Sequence, residues 1–216
     1  MELLSTLEQN NVYNTYTHIA KHFSATREKI WPSVIDFYKK LENNSLILDA
    51  GCGNGKNMYR DDCYYTGADA CIPFLEEMIS KKTKDYIGIN VKMLPFKNAT
   101  YDYVLSVAVL HHIYSYEDRV GCIQEMIRVT RPGGKIFISV WSKNKNHDYG
   151  DTFIDWTLQK KYSRENTSKI YKRYYHLFKL TEIETLIKDA DKDNKVNIES
   201  CYESFNNIYT ILSIYR

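Results

Sequence analysis

None of the five cysteines (Cys52, Cys63, Cys71, Cys122, Cys201) stands in a CxxC pair, and no histidine falls at zinc-finger spacing from any of them. The sequence therefore predicts no structural metal of its own. Unpaired thiols suit a reducing compartment, so a cytoplasmic or nuclear location is expected. Also missing is any run near the eighteen apolar residues that a membrane span needs, and Met1 to Gln9 holds two glutamates where a secretory leader would be basic and then apolar. An excess of one charge is absent too: 29 Lys and Arg meet 27 Asp and Glu, a net +2 that does not announce nucleic acid by itself. There is no internal repeat. With 216 residues and 44% hydrophobic content, the chain can bury one substantial core and reads as a single domain over 1–216.

The most informative stretch is residues 46–56, Leu-Ile-Leu-Asp-Ala-Gly-Cys-Gly-Asn-Gly-Lys. A short apolar run reads as a buried strand, and glycines on alternate positions let the backbone turn tightly and approach a ligand. Two common ligands are excluded by detail. Lys56 is followed by Asn57, so the Gly-Lys-Ser/Thr of a phosphate loop is absent, and the spacing is not that of the dinucleotide fingerprint. Asp49, just before the turn, would repel pyrophosphate but suits a cationic ligand or one offering hydroxyl and amino donors. S-adenosylmethionine offers both. Tyr64 to Asp69 reads as a second strand ending in an acid about twenty residues on, the place from which a carboxylate chelates ribose hydroxyls. Taken singly, Asp49 could be a helix cap and Asp69 a turn former. Together with the glycines they favour the cofactor.

The remaining pattern predicts an open α/β sheet: a helix over Ile72 to Lys82, strands at Tyr86 to Asn90 and Tyr101 to Val109, and a helix from Glu117 to Thr130. Arg131-Pro-Gly-Gly stops that helix before a strand from Lys135 to Trp141. A helix at Thr181 to Asp189, with its cap and glutamates at the start, precedes strands Lys195 to Cys201 and Asn207 to Tyr215, which can pair antiparallel. Ahead of the sheet, residues 1–44 read as a helical cover with a leading helix over Asn11 to Arg27 and a bend at Ile30-Trp31-Pro32, placing Arg27 and Trp31 near the crevice. Residues 142–173 look like a polar, mobile insertion. Lys143 to Lys179 carries nine Lys and Arg against four acids, interleaved with eight aromatics, leaving the rest of the chain at −3. Such a segment suits phosphates and unstacked bases, or else forms a solvated face with a small aromatic core of its own.

The chain resembles the class I S-adenosylmethionine-dependent methyltransferases, and within them the eukaryotic tRNA wobble-uridine carboxymethyl methyltransferases. The resemblance rests on Tyr13 to Phe23 with Arg27, Trp31 and Pro32; Asp49 to Lys56; Leu94-Pro95; Ser106 to His112; Arg131-Pro-Gly-Gly; Trp141; and Arg173-Tyr-Tyr-His-Leu-Phe178. It implies a Rossmann-like fold with a mostly parallel seven-stranded sheet, helices on both faces and a C-terminal antiparallel hairpin. It also implies methylation of 5-carboxymethyluridine in the tRNA anticodon loop to its methyl ester. A small zinc-binding activator subunit is the implied partner, pairing with the sheet edge around Tyr86 to Asn90. Cofactor contacts are expected at Asp49, Gly51, Gly53, Gly55, Asp69, Ala70, Asn90, Val91 and Val107. Arg27 is expected to orient the carboxylate, His111, His112 and Tyr175 or His176 to wall the pocket, and Trp31 or Trp141 to stack on the flipped base. Lys172 and Arg173 are expected on the RNA face, and Tyr174 in the core. The sequence departs from the family at Asn90, where relatives carry an acid, and at Ile208 after Asn207, where they often carry Trp. Two other readings fit the cofactor motif: a small-molecule methyltransferase, which would not require the basic aromatic segment, and a non-catalytic RNA-binding scaffold, against which the intact glycine turn and acids argue. A nicotinamide-dependent reductase is disfavoured by the missing dinucleotide spacing.

Overall fold

A computed structural model describes residues 5–79, 85–163 and 165–215. Its frame is a seven-stranded sheet in the order β3-β2-β1-β4-β5-β9-β8. The strands are β1 (Leu46–Ala50), β2 (Tyr64–Asp69), β3 (Asp85–Gly88), β4 (Tyr101–Val107), β5 (Thr130–Trp141), β8 (Val196–Ser204) and β9 (Asn207–Ile214). The first five run parallel, β9 is antiparallel to β5, and β8 closes a C-terminal hairpin. Alternate residues of the central strands feed two cores, as the pleat requires. Leu48, Val104, Ile136, Ile138 and Ile208 pack against α5 (Tyr116–Val129) and α6 (Leu180–Ala190). Ile47, Leu105, Phe137 and Tyr209 pack on the other face against α3 (Pro32–Tyr38) and α4 (Ile72–Ile79). Helices on both faces explain why β1 and β4 are buried almost throughout rather than at alternate positions.

Strand order reverses between β1 and β4, so the loops leaving their carboxyl ends diverge and open a crevice. A continuous helical rod covers it. Ser5 and Glu8 form a capping box at the start of α1 (Thr6–Glu8), a π-helical turn spans Gln9–Tyr13, and α2 (Asn14–Ala25) follows. The rod thus begins earlier than Asn11 and ends before Arg27. Glu8, fully buried, is bound by Lys92 Nζ at 2.7 Å and by the Tyr114 amide at 2.8 Å, which ties the rod to the loops beyond β3 and β4.

Several sequence expectations need correction. The polar stretch after Trp141 is no irregular insertion. It holds a two-stranded antiparallel sheet, β6 (Gly150–Leu158) and β7 (Lys169–Leu177), in which Ile154, Trp156, Tyr171, Arg173 and Tyr175 turn inward at the period of a strand while Asp151, Phe153, Asp155, Ile170 and Lys172 face out. Arg131-Pro-Gly-Gly is not a gap between helix and strand: β5 starts at Thr130, and an irregularity takes up the motif before Lys135 pairs with Tyr103. A Cβ on Gly134 would lie 2.4 Å from the Asp102 carbonyl oxygen, so the motif is a close crossing of backbones. Thr181 is not the cap of α6; Lys179 occupies that position and provides no side-chain bond. β3 stops at Gly88, short of Asn90, but is a sheet edge as expected, and β4 ends at Val107 because Ala108 turns to φ +63°. The α4 expectation beyond Ile79 lies outside the described residues. Among the described residues, all five cysteines are free, no cluster of three His, Cys, Asp or Glu could hold a metal, and no helix is long and apolar enough to cross a membrane.

Candidate active site

At the crevice, the glycine turn is anchored by its first amides: Gly51 and Cys52 N–H both donate to the Ala68 carbonyl, at 2.7 and 3.1 Å. Gly51 has φ +87°, and a Cβ there would meet Val109 Cγ2 at 2.2 Å, so only glycine fits between turn and neighbouring loop. Gly53, at φ +52°, faces open space in which a ligand can approach the backbone. Asp69 fixes this shape. One carboxylate oxygen accepts the Gly53 amide at 2.8 Å and the other the Cys71 amide at 2.7 Å. Burial raises its pKa, and the two backbone bonds work against that rise.

The cleft above encloses about 1150 Å³ of atom-free space including its open mouth, room for a nucleoside cofactor beside a second nucleotide. Of the expected cofactor residues, Gly51, Gly53, Asp69, Ala70, Asn90, Val91 and Val107 line it. Asp49, fully buried in β1, and Gly55, packed toward Met78, do not. Asn90 is held at both ends of its amide. Its amide nitrogen donates to Tyr13 Oη at 3.0 Å and its oxygen accepts the Lys92 amide at 3.0 Å. Tyr13, on the π turn, thus joins the cofactor end of the cleft, a contact that helical periodicity does not reveal.

The opposite wall is built from rings. Trp141 stacks on Tyr175 at 4.6 Å between centroids, and the His111 and His112 rings lie 5.0 and 4.5 Å from Tyr175. Hydrogen bonds fix both histidine tautomers. The Trp141 amide donates to His111 Nδ1 at 3.1 Å, so the His111 proton is on Nε2. His112 Nδ1–H donates to the Tyr174 carbonyl at 2.8 Å, which leaves Nε2 to accept Tyr16 Oη–H at 2.9 Å. From there the direction propagates: Tyr16 Oη accepts from Tyr175 Oη at 3.4 Å, and Tyr175 Oη accepts from Arg173 Nη1 at 2.7 Å. Burial is the main reason that His111 titrates well below an ordinary histidine and that His112 is lowered to about 3. Both are neutral at physiological pH.

A methyltransferase-domain family profile matches residues 48–138. The tRNA (carboxymethyluridine(34)-5-O)-methyltransferase of Schizosaccharomyces pombe is 31% identical over 204 residues, spanning 85% of this chain and 89% of that one. The chain belongs to that family. The Arabidopsis thaliana enzyme of the same name is 37% identical over 163 residues, which are 74% of this chain but only 39% of the longer relative. In fold, the chain is similar to a methyltransferase solved in complex with the Haloferax volcanii Trm112 methyltransferase activator, with a TM-score of 0.68 at 13% identity across 95% of this chain and 98% of that one. The seven-stranded class I methyltransferase architecture expected from the sequence is the one observed.

For this family member, the remaining expected substrate-side residues divide into two groups. Arg27, Trp31, Trp141, His111, His112 and Tyr175 line the cleft. His176 does not: its two ring nitrogens sit 2.6 Å from Asp151 and 2.7 Å from Glu182, bridging β6 to α6. Lys172 is exposed on β7, but Arg173 is only 4% exposed and points into the cleft, which corrects its placement on an RNA-facing surface. Tyr174 is buried, its hydroxyl donating to Asp151 at 2.7 Å. Trp156 is a residue that sequence reasoning passed over. The Arg173 and Arg27 guanidiniums lie 4.9 and 5.6 Å from its ring, and its Nε1–H donates to His22 Nδ1 at 3.2 Å. Its spacing from Phe153 and Tyr162 gave no signal, because these contacts form only when β6 folds against α2.

Proposed function

We propose that this chain transfers the methyl group of S-adenosylmethionine to the carboxylate of 5-carboxymethyluridine at tRNA position 34, giving the methyl ester. The carrying observation is the family relationship across 89% of the fission yeast enzyme, which bears that activity in its name. The cleft supports it with one end made of backbone amides and the Asp69 carboxylate and the other of stacked rings and arginines. The residues present fit the cofactor, since Gly53 leaves open space where a Cβ would point and Asp69 holds the turn in shape. When bound, S-adenosylmethionine supplies an electrophilic methyl on a sulfonium.

A carboxylate is ionised at neutral pH, so no side chain has to remove a proton. The lowered basicity of His111 and His112, whose acceptor nitrogens already take bonds from the Trp141 amide and Tyr16 Oη, agrees with this, for it suits fixed wall groups better than bases. What the residues must do is hold the acceptor oxygen in line with the methyl and keep water out, with Trp31 or Trp141 stacking on the extruded base. Arg27, at the mouth, orients the incoming substrate, and Lys172 contributes to the outer RNA-facing surface. The exposed edge β3 is the surface we assign to a small zinc-binding activator subunit, since an uncovered edge strand is a ready pairing template.

Methyl transfer from labelled cofactor to tRNA bearing 5-carboxymethyluridine, with and without the activator and followed by nucleoside analysis, tests the reading. The methyl ester is expected, and at a higher rate with the activator. Cofactor binding without any transfer to this tRNA would instead favour a small-molecule acceptor.

A further inference from the structure

Arg173 is a buried cation to which no described residue supplies a counter-ion. It is 4% exposed, and among the described residues no carboxylate approaches its nitrogens within 4.0 Å. Its one described hydrogen bond runs from Nη1 to Tyr175 Oη at 2.7 Å, and its Nε has no partner. Tyr175 cannot compensate the charge. Its hydroxyl proton is committed to Tyr16, and burial pushes its pKa well above that of an ordinary tyrosine, so the phenol is neutral. The remaining neighbours are two aromatic faces, Trp156 at 4.9 Å and Tyr175 at 5.2 Å, and a second cation, Arg27, on the same Trp156 ring. His111 and His112 are neutral.

A guanidinium taken out of water is strongly unfavourable unless an anion completes it. Here Arg173 lines the cleft rather than sitting within solid core. We infer that Arg173 is the anion subsite of this cleft, that its ligand is a planar carboxylate on the extruded base, and that it sets the preference for an acid over a neutral side chain. The inference rests on the functional reading above and deepens it. The fork of a guanidinium matches a carboxylate geometrically. Trp156, fixed by His22, and Tyr175, fixed by Tyr16, hold that fork from two sides. Arg27, further toward the mouth, adds positive potential at the same end.

The test uses full-length chain saturated with S-adenosylhomocysteine and two anticodon stem-loops, identical except for 5-carboxymethyluridine or its neutral isostere 5-carbamoylmethyluridine at position 34. Wild type should bind the acid about tenfold more tightly than the amide, and Arg173→Gln should reduce that ratio to about twofold with cofactor affinity unchanged. Arg173→Lys, which keeps the charge but not the fork, should fall between them. A tenfold preference surviving in Arg173→Gln overturns the subsite. If Arg173→Gln does not fold, wild type decides alone: equal binding of acid and amide overturns it. The two readings separate cleanly. An Arg173-dependent acid preference without any methyl transfer would leave the subsite standing and sink the proposed reaction, whereas transfer with no preference would do the opposite.

Discussion

The two ends of the cleft are made in different ways. At the cofactor end, backbone does the shaping: Gly51 and Cys52 donate to Ala68, Asp69 accepts from Gly53 and Cys71, and every participant lies within one β-turn-β segment. At the acceptor end, side chains do it. Tyr16, His112, Arg173 and Tyr175 come from α2, the turn after β4 and β7, and are joined by a hydrogen-bond chain whose direction is fixed at each link. A backbone site tolerates exchange of side chains but no change of conformation; a side-chain network has the opposite sensitivity.

The hardest break of the first end is Gly51→Val. With φ +87° and Val109 Cγ2 at 2.2 Å from the added Cβ, it should abolish measurable cofactor binding in a calorimetric titration. It should also lower stability by about 2–4 kcal/mol. The acceptor end responds instead to protons. His111 and His112 are lowered in the folded chain, so the unfolded chain binds more protons as pH falls below the ordinary histidine value of about 6.5. Their stabilisation is complete above that pH and is lost toward about 3, where His112 titrates. His112 should therefore cost about 1.4 kcal/mol per pH unit below 6.5, or about 2 kcal/mol at pH 5, and His111 adds a loss of the same sign. Urea midpoints at pH 5, 6 and 7 should show this slope in wild type and a shallower one in His112→Gln. A slope unchanged by the substitution would detach His112 from it.

Smaller effects sharpen the contrast. Arg27→Ala should lower turnover on carboxymethyluridine tRNA by about tenfold while leaving cofactor affinity within twofold, because its guanidinium sits over Phe23 and Trp156 rather than over the glycine turn. Equal losses of both would remove it from the acceptor end. Least of all, Lys172→Ala should weaken tRNA binding about twofold and reduce the salt slope by about one, as for a single phosphate contact. An unaltered salt slope would take Lys172 off the RNA face.

The same contrast decides what was legible in the chain. The glycine turn was readable because its constraints are local: an apolar strand, alternate glycines and an acid follow one another in eleven residues. The order of strands and helices was readable for the same reason. Lys172 and Arg173 show where reading stopped. They are adjacent, carry the same charge and sit in one basic segment, yet the pleat of β7 sends one to solvent and the other into the cleft. Without knowing that 150–158 and 169–177 were strands, nothing in the composition could separate them. The hairpin itself was hidden because its outer face is polar, and Phe153 and Ile170 remain 44% and 66% exposed.

The π turn at Gln9–Tyr13 bears on how length variation could act in the leading rod. A π turn is an α-helix holding one residue more than its register needs. Removing a single residue there would restore regular winding and leave the residues on either side in the same rotational phase, because the π turn takes up its extra residue within one turn. Glu8 would still face Lys92 and Tyr114, and Ser5 would keep its cap on the same side of the cleft. The same deletion made in the regular winding of α2 would instead rotate everything upstream by about 100°, so the π turn is a joint at which the rod can change length by one residue without moving its contacts.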